Sequence, residues 1–183
     1  MSALFPPWSN TATYVALIAA VVLGAGALVA PIVYARSPYA RGQDDPLLQP
    51  IAFDHRHHVR DDGIACLYCH DGADRSAYAG IPPTERCMGC HAQVWNDSAA
   101  IAPLLESWKT GTPIRWQRVH SLPDFVYFDH SVHIARHLDC STCHGRVDEM
   151  AAVYQVAPLS MEWCVDCHRR LAPTRTTCST CHR

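Results

Sequence analysis

Hydrophobic and polar positions divide the chain into an apolar N-terminal segment and a more polar remainder. Residues 12–33 form an almost unbroken apolar run, and no charged side chain precedes Arg36. Because about twenty apolar residues suffice to cross a bilayer, the pattern predicts a transmembrane helix over residues 12–35 behind a tail, residues 1–11. A cleaved signal peptide is the alternative, but such peptides begin with a positive segment and have a shorter apolar run.

The pattern after this helix predicts a linker and then one further domain. Residues 36–50 are polar and contain three prolines, which is typical of a linker. Residues 51–183 form the second domain. Within it, a short helix is predicted from Asp97 or Ser98 to Trp108, although Pro103 fits poorly inside a helix.

Cysteine and histidine change this picture more than any other part of the composition. The formal net charge of -2 argues against a basic nucleic-acid-binding surface, and 49% hydrophobic residues argue against a disordered acidic chain. The chain nevertheless has ten cysteines and twelve histidines. All ten cysteines lie in C-x-x-C pairs, and a histidine follows each pair directly. The pairs are Cys66 and Cys69, Cys87 and Cys90, Cys140 and Cys143, Cys164 and Cys167, and Cys178 and Cys181.

The C-x-x-C-H motif is typical of covalent c-type haem attachment. Two thiols at this spacing can bond to the two vinyl groups of one porphyrin, and the next histidine then lies under the iron as its proximal ligand. Zinc sites do not need the histidine, and a redox dithiol needs one pair in a βαβ context. The sequence therefore predicts five haem c groups, with the proximal ligands His70, His91, His144, His168 and His182.

Five haems in so short a domain predict an unusual fold. The porphyrins themselves must supply most of the core, with short helical turns and loops wrapped around them. We therefore expect a mainly α, irregular multihaem cytochrome c with little regular structure and no sheet, preceded by its single transmembrane helix.

An internal repeat indicates the distal ligands. The motif F-D-H-x-x-H occurs at residues 53–58 and 128–133, and two C-x-x-C-H motifs follow each copy. The pseudo-repeats are 51–91 and 126–168, separated by the insert 92–125, and residues 169–183 add the fifth motif. Positions i and i+3 share a helix face, so the two histidines of each copy can serve neighbouring irons. The predicted distal ligands are His55, His58, His130 and His133.

The fifth distal ligand stays open between two residues at this point. His120 lies ten residues before His130, and Met161 lies three residues before Cys164 and could reach a neighbouring iron. Methionine would raise the reduction potential of its haem relative to a bis-histidine haem. His57 and His137 do not follow the repeat and are expected to be solvated.

The stretches VHSLPDFVYFDH (119–130) and MEWCVDCHR (161–169), with the anchor and paired units, resemble one particular family. This is the pentahaem membrane subunit of bacterial alternative complex III, a quinol:electron-acceptor oxidoreductase. The resemblance implies an electron relay rather than an enzyme by itself. Its partners would be a quinol-binding membrane subunit, an iron–sulfur subunit and a monohaem cytochrome c or soluble acceptor. It also implies that His120 or Met161 serves a haem.

The sequence also bears on the location of the protein and on two alternative functions. Haem c is attached outside the bacterial cytoplasm, so we expect an inner-membrane protein with a periplasmic haem domain, although Arg36 and Arg41 slightly favour the opposite orientation. The alternative function is a single-helix multihaem quinol dehydrogenase that feeds a periplasmic reductase, although such proteins usually have four haems. A reductase with one open iron is a third reading, but the histidines suffice to close every iron.

Overall fold

The computed structural model describes residues 5–182, which form one long helix and a series of short ones separated by loops. Residues up to Gly42 and residues from Gln43 onwards form two separate compact units. The α-helices are α1 (Ser9–Arg36), α2 (Cys66–Cys69), α3 (Thr84–His91), α4 (Ala102–Thr110), α5 (His130–Ile134), α6 (Ser141–His144), α7 (Met161–Leu171) and α8 (Cys178–Cys181).

Helix α1 dominates the first unit. It has 28 residues with no acidic residue in its first turn, and none of its side chains is buried within the protein. Its mean hydropathy of 2.5 and its length make it the one described helix able to cross a membrane, a test that a signal sequence also passes. It begins at Ser9, inside the stretch expected as a tail; residues 1–4 of that tail lie outside the described residues.

The second unit confirms the expectation of a mainly helical, irregular fold without a sheet. Among the described residues no strand forms, and a single isolated parallel bridge joins Gln43 to Gln155. The Asp44 amide donates to the Gln155 carbonyl oxygen at 2.9 Å. Most of the second unit is therefore held by turns and side-chain contacts rather than by a backbone ladder.

The apolar core of the second unit is very small. No described side chain is fully enclosed, and the buried apolar cluster contains Ile51, Met88, Ile101 and Leu104. Met88 belongs to α3 and lies inside the second cysteine motif, and Leu104 belongs to α4. A domain of this size normally buries more than half of the surface that its unfolded chain exposes. The polypeptide alone therefore forms only part of a normal hydrophobic core.

The insert forms a helix close to the expected one. Ser98 caps a 3₁₀ turn at Ala99–Ile101 by accepting from the Ala100 amide at 3.3 Å, and α4 continues from there to Thr110. Pro103 lies in the first turn of α4, where its missing N–H costs no hydrogen bond. The predicted conflict is thus resolved by a later start of the α-helix. Gly111, with φ of 68°, ends it in the left-handed conformation.

Candidate haem-binding site

The ten thiols lie on short helical turns. Helices α2 and α8 span a C-x-x-C pair from one cysteine to the other, and the remaining pairs lie in or beside α3, α6 and α7. None of the ten cysteines forms a disulfide, and all ten are at least partly accessible. Because positions i and i+3 share a helix face, both thiols of each pair lie on one side of the turn, with the histidine directly after them.

Electrostatic contacts between thiols show which motifs are neighbours. Burial is the main cause that raises the pKa of several cysteines, and the thiol of another motif adds to it. These contacts link the motifs in the order second, first, third, fourth and fifth. They join Cys87 to Cys69, Cys140 to Cys66, Cys143 to Cys167, and Cys164 to Cys181.

Four of the five motif histidines are held by a backbone carbonyl. Since a carbonyl oxygen only accepts, the Nδ1 of each ring carries the proton, and Nε2 keeps its lone pair for a metal. The Nδ1–O distances lie between 2.7 and 3.1 Å. The pairs are His70 with Gly80, His91 with Val94, His168 with Arg175, and His182 with Phe125.

His144 is the exception among the motif histidines. Its Nδ1 lies 3.3 Å from Nε2 of His120, and the two rings meet at 82° with centroids 4.4 Å apart. Burial is the main cause that lowers the pKa of His144 to about 4, and the charges of His120, His130 and His70 add to it. Burial also lowers the pKa of His120. Both rings are therefore favoured in the neutral form.

The histidines of the F-D-H-x-x-H units are oriented in the same way. His58 donates from Nδ1 to the Asp54 carbonyl oxygen at 3.0 Å, and His133 does the same to Asp129 at 2.7 Å. His130 donates to the carbonyl oxygen of Ala77 at 2.8 Å. These bonds again leave Nε2 with a free lone pair.

Three imidazole pairs have the spacing that a shared metal ion needs. A metal bonded at about 2 Å to one nitrogen of each of two facing imidazoles separates the ring centres by about 6 Å. The rings of His58 and His91 are 6.2 Å apart, those of His133 and His168 are 6.1 Å apart, and those of His130 and His144 are 6.3 Å apart. Each pair joins one H-x-x-H histidine to one C-x-x-C-H histidine, so the donor set fits bis-histidine haem.

His55 is the remaining repeat histidine that the sequence predicts as a distal ligand. Burial chiefly lowers its pKa to about 4, with further contributions from the charges of His70 and His58. Its Nδ1 is buried and, within the described part of the chain, has no hydrogen-bond partner. A half-buried imidazole near His70, with its buried Nδ1 unsatisfied, fits a ligand whose bonding partner is a prosthetic group.

The other candidates are more exposed. His57 is 57% exposed, and its Nε2 lies 3.6 Å from the Asp62 carboxylate, consistent with the solvated position expected from sequence. His137 is exposed as well. Met161 opens α7 and is 71% exposed. It lies one turn before Cys164, whose thiol is near Cys181 of the fifth motif.

Sequence reasoning missed the side chains that hold the ligand rings. Phe53 stacks on His58 with centroids 4.4 Å apart, and Phe128 stacks on His133 at 4.6 Å. The signal was available, because phenylalanine is the first residue of both repeat units. The carbonyl acceptors leave no signal, since every residue carries a carbonyl group. Across residues 5–182, no three His, Cys, Asp or Glu side chains form a site for a bare metal ion.

Comparison with known proteins agrees with this geometry. Residues 126–183 match the family described as cytochrome c7 and related cytochrome c. This part of the chain is thus similar to multihaem cytochromes c, and a longer stretch is similar to a multihaem cytochrome subunit. The fold class predicted from the cysteine motifs is thereby confirmed.

Two relatives come from Nitratidesulfovibrio vulgaris. The menaquinone reductase, multiheme cytochrome c subunit, is 36% identical over 98 residues, which are 52% of this chain and 45% of the relative. The high-molecular-weight cytochrome c is 28% identical over 147 residues, which are 64% of this chain and 26% of the relative. The chain thus matches less than half of the length of either relative.

Proposed function

We propose that the chain is an electron-transfer subunit that holds five c-type haems in one continuous row. The observation that carries the proposal is the set of three imidazole pairs with ring centres 6.1 to 6.3 Å apart. Each pair combines a motif histidine with a repeat histidine, which is the ligand set of a saturated, low-spin iron. A saturated iron exchanges electrons and leaves no open position for a substrate.

The protein's own residues do the binding and orienting. When bound, haem c supplies a one-electron iron centre. The thiol pairs would fasten it, and Nδ1 hydrogen bonds fix the ligand rings. Burial lowers the pKa of His55 and His144 and so favours the neutral form that binds a metal. The thiol neighbours support a row in which the second and fifth motifs lie at the two ends and the third lies in the middle.

The partners follow from the resemblance and from one relative. We place α1 in the bacterial inner membrane and the haem domain on the periplasmic side. The chain would exchange electrons with a quinol-oxidising membrane subunit and an iron–sulfur subunit, and pass them to a monohaem cytochrome c or soluble acceptor, as in alternative complex III. One relative is a menaquinone reductase subunit, which supports a quinone-linked complex. Its name also allows electrons to pass in the reverse direction, towards the quinone.

The alternative is a single-helix quinol dehydrogenase that oxidises quinol by itself. The test uses the full chain, purified in detergent with its haems and without partner subunits. We expect a pyridine haemochrome assay to give five haems per chain, with all irons low-spin. We also expect no reduction by a menaquinol analogue, while a small soluble mediator reduces every haem.

Two results would reject the relay. Rapid reduction of the isolated chain by the menaquinol analogue would favour the quinol dehydrogenase. A high-spin haem in the unmodified protein that binds cyanide or nitrite would instead indicate an open iron and substrate chemistry.

A further inference from the structure

His120 occupies a place that a backbone carbonyl occupies for the other motif histidines. In the described chain, four motif histidines donate from Nδ1 to carbonyl oxygens at 2.7 to 3.1 Å. Only His144 has a side chain in that place, with Nε2 of His120 at 3.3 Å from its Nδ1. The equivalent residue of the first repeat, His70, uses the Gly80 carbonyl instead.

The facing side of His144 is already taken by another ring. His130 lies parallel to it, at an interplanar angle of 9° and with centroids 6.3 Å apart, and its own Nδ1 is bonded to Ala77. The plane of the His120 ring is inclined at 82° to that of His144, and its Nε2 approaches Nδ1 of His144. A nitrogen that accepts a hydrogen bond from one imidazole has no lone pair left for a metal.

We propose that His120 is a positioning residue for the third haem and is not an axial ligand of any of the five. Its Nε2 accepts the Nδ1 proton of His144, which fixes the tautomer and the ring orientation of that proximal ligand. The inference rests on the proposed function, because it assumes that His144 binds an iron. Of the two candidates for the fifth distal position, Met161 then remains.

The consequence is electronic as well as steric. A hydrogen-bond acceptor on the far nitrogen makes a metal-binding imidazole more basic and so stabilises the oxidised iron. Besides burial, Cys66 of the first motif raises the pKa of Cys140, and Cys167 of the fourth motif raises that of Cys143, which indicates that the third motif lies near both. His120 thus sets the potential of the haem in the middle of the row.

The test compares three variants of the full, haem-loaded chain. In His120→Leu the acceptor is lost, and in His120→Asn an amide oxygen can replace it. His137→Asn is the matched control, since His137 is exposed, has no predicted ligand role, and asparagine tolerates its φ of 59°. Haem content, low-temperature EPR and a spectroelectrochemical titration are measured for each.

We expect all three variants to keep five haems and wholly low-spin irons. In His120→Leu the potential of one haem rises, so that its oxidised-to-reduced ratio at a fixed poise falls about tenfold, which is 59 mV for one electron. His120→Asn reverses most of this shift, and the control shows none.

Two results overturn the inference. A new high-spin, cyanide-binding haem in His120→Leu or His120→Asn shows that His120 is an axial ligand. Unchanged potentials and EPR spectra in both variants show that the contact with His144 does nothing. If His120→Leu loses haem, the spin state of the irons in His120→Asn is compared with that in His137→Asn and tests the inference instead. Failure of the proposed function is distinct, because it shows in the unmodified chain as fewer than five haems, a high-spin haem or reduction by the menaquinol analogue.

Discussion

The two ligand units, residues 53–58 and 128–133, have nearly the same geometry around the second histidine of each. That ring stacks on the phenylalanine of its unit with centroids 4.4 Å apart in the first and 4.6 Å apart in the second. It faces its motif histidine at 6.2 Å and 6.1 Å, with the same interplanar angle of 56°. Agreement to a few tenths of an ångström indicates that one ligand arrangement is used twice.

The backbone around the two units differs. The first unit runs into a π-helix, Arg56–Asp61, whereas the second starts a short α-helix, α5. The first histidine of each unit also differs, because His130 donates to Ala77, while Nδ1 of His55 has no partner within residues 5–182. The rings are thus fixed by stacking and by local carbonyl groups, and the helix type between them is free to vary.

The largest expected effect is the difference between removing a haem from the middle of the row and removing one from its end. In the proposed row, the second unit would supply His130 to the third motif and the first unit would supply His58 to the second, in line with the ring distances. Cys140→Ala with Cys143→Ala should remove the middle haem and stop electron transfer from one end to the other. Cys87→Ala with Cys90→Ala should remove an end haem and leave the other four connected.

Both double variants should have four haems by the pyridine haemochrome assay, so the comparison is matched. The rate at which a photoreductant tethered near the fifth motif reduces the remaining haems distinguishes them. Equal behaviour of the two variants would show that the motifs are not arranged in a single row.

The next prediction tests whether the second histidine of each unit plays the same role. His58→Leu and His133→Leu each remove one distal ring, and each should convert one haem in five to a high-spin, carbon-monoxide-binding form. His57→Leu is the control, because His57 is 57% exposed and its counterpart in the second unit is Val132 rather than a histidine. EPR and carbon monoxide difference spectra give the measurement. A wholly low-spin His133→Leu protein would mean that the second unit does not ligate as the first does.

These units also show how far the sequence alone leads. The attachment motifs and the H-x-x-H pairs are visible because haem chemistry needs fixed residue types at fixed spacing. The ring contact between His120 and His144 joins the end of the insert to the second repeat, 24 positions further along the chain, so no local pattern predicts it. Carbonyl acceptors such as Gly80 are invisible for another reason: any residue can provide one. Sequence therefore predicts which rings bind and leaves open what holds them.

A smaller effect concerns the aspartate of each unit. Asp129 caps α5 by accepting from the backbone amide of Ser131 at 2.9 Å and from its hydroxyl at 2.7 Å. Asp129→Ala should lower the Tm by about two degrees, and Asp129→Asn should keep most of the cap. Asp54→Ala should cost less, since its partner Arg56 is 42% exposed. Differential scanning calorimetry of the haem-loaded chains would contradict this if Asp54→Ala were the more damaging change.

The smallest effect is a difference in acid sensitivity at the first unit. The side-chain hydrogen bond from Arg56 is the main cause that lowers the pKa of Asp54 to about 2, below its ordinary value of 3.8. The unfolded chain therefore binds this proton more readily than the folded chain does. The stability that the pair contributes is complete above about pH 4 and is lost as the pH falls towards 2.

The residue-54 side chain of Asp54→Asn cannot titrate, so the urea midpoint of this variant should fall less between about pH 5 and about pH 2.5 than that of the unmodified chain. All other ionisable groups are common to both proteins, so their contributions cancel from the difference. Arg56→Gln should behave like Asp54→Asn, because it removes the cation that lowers the pKa. Identical acid sensitivity in all three proteins would mean that the 2.7 Å contact between Asp54 and Arg56 is not kept in solution.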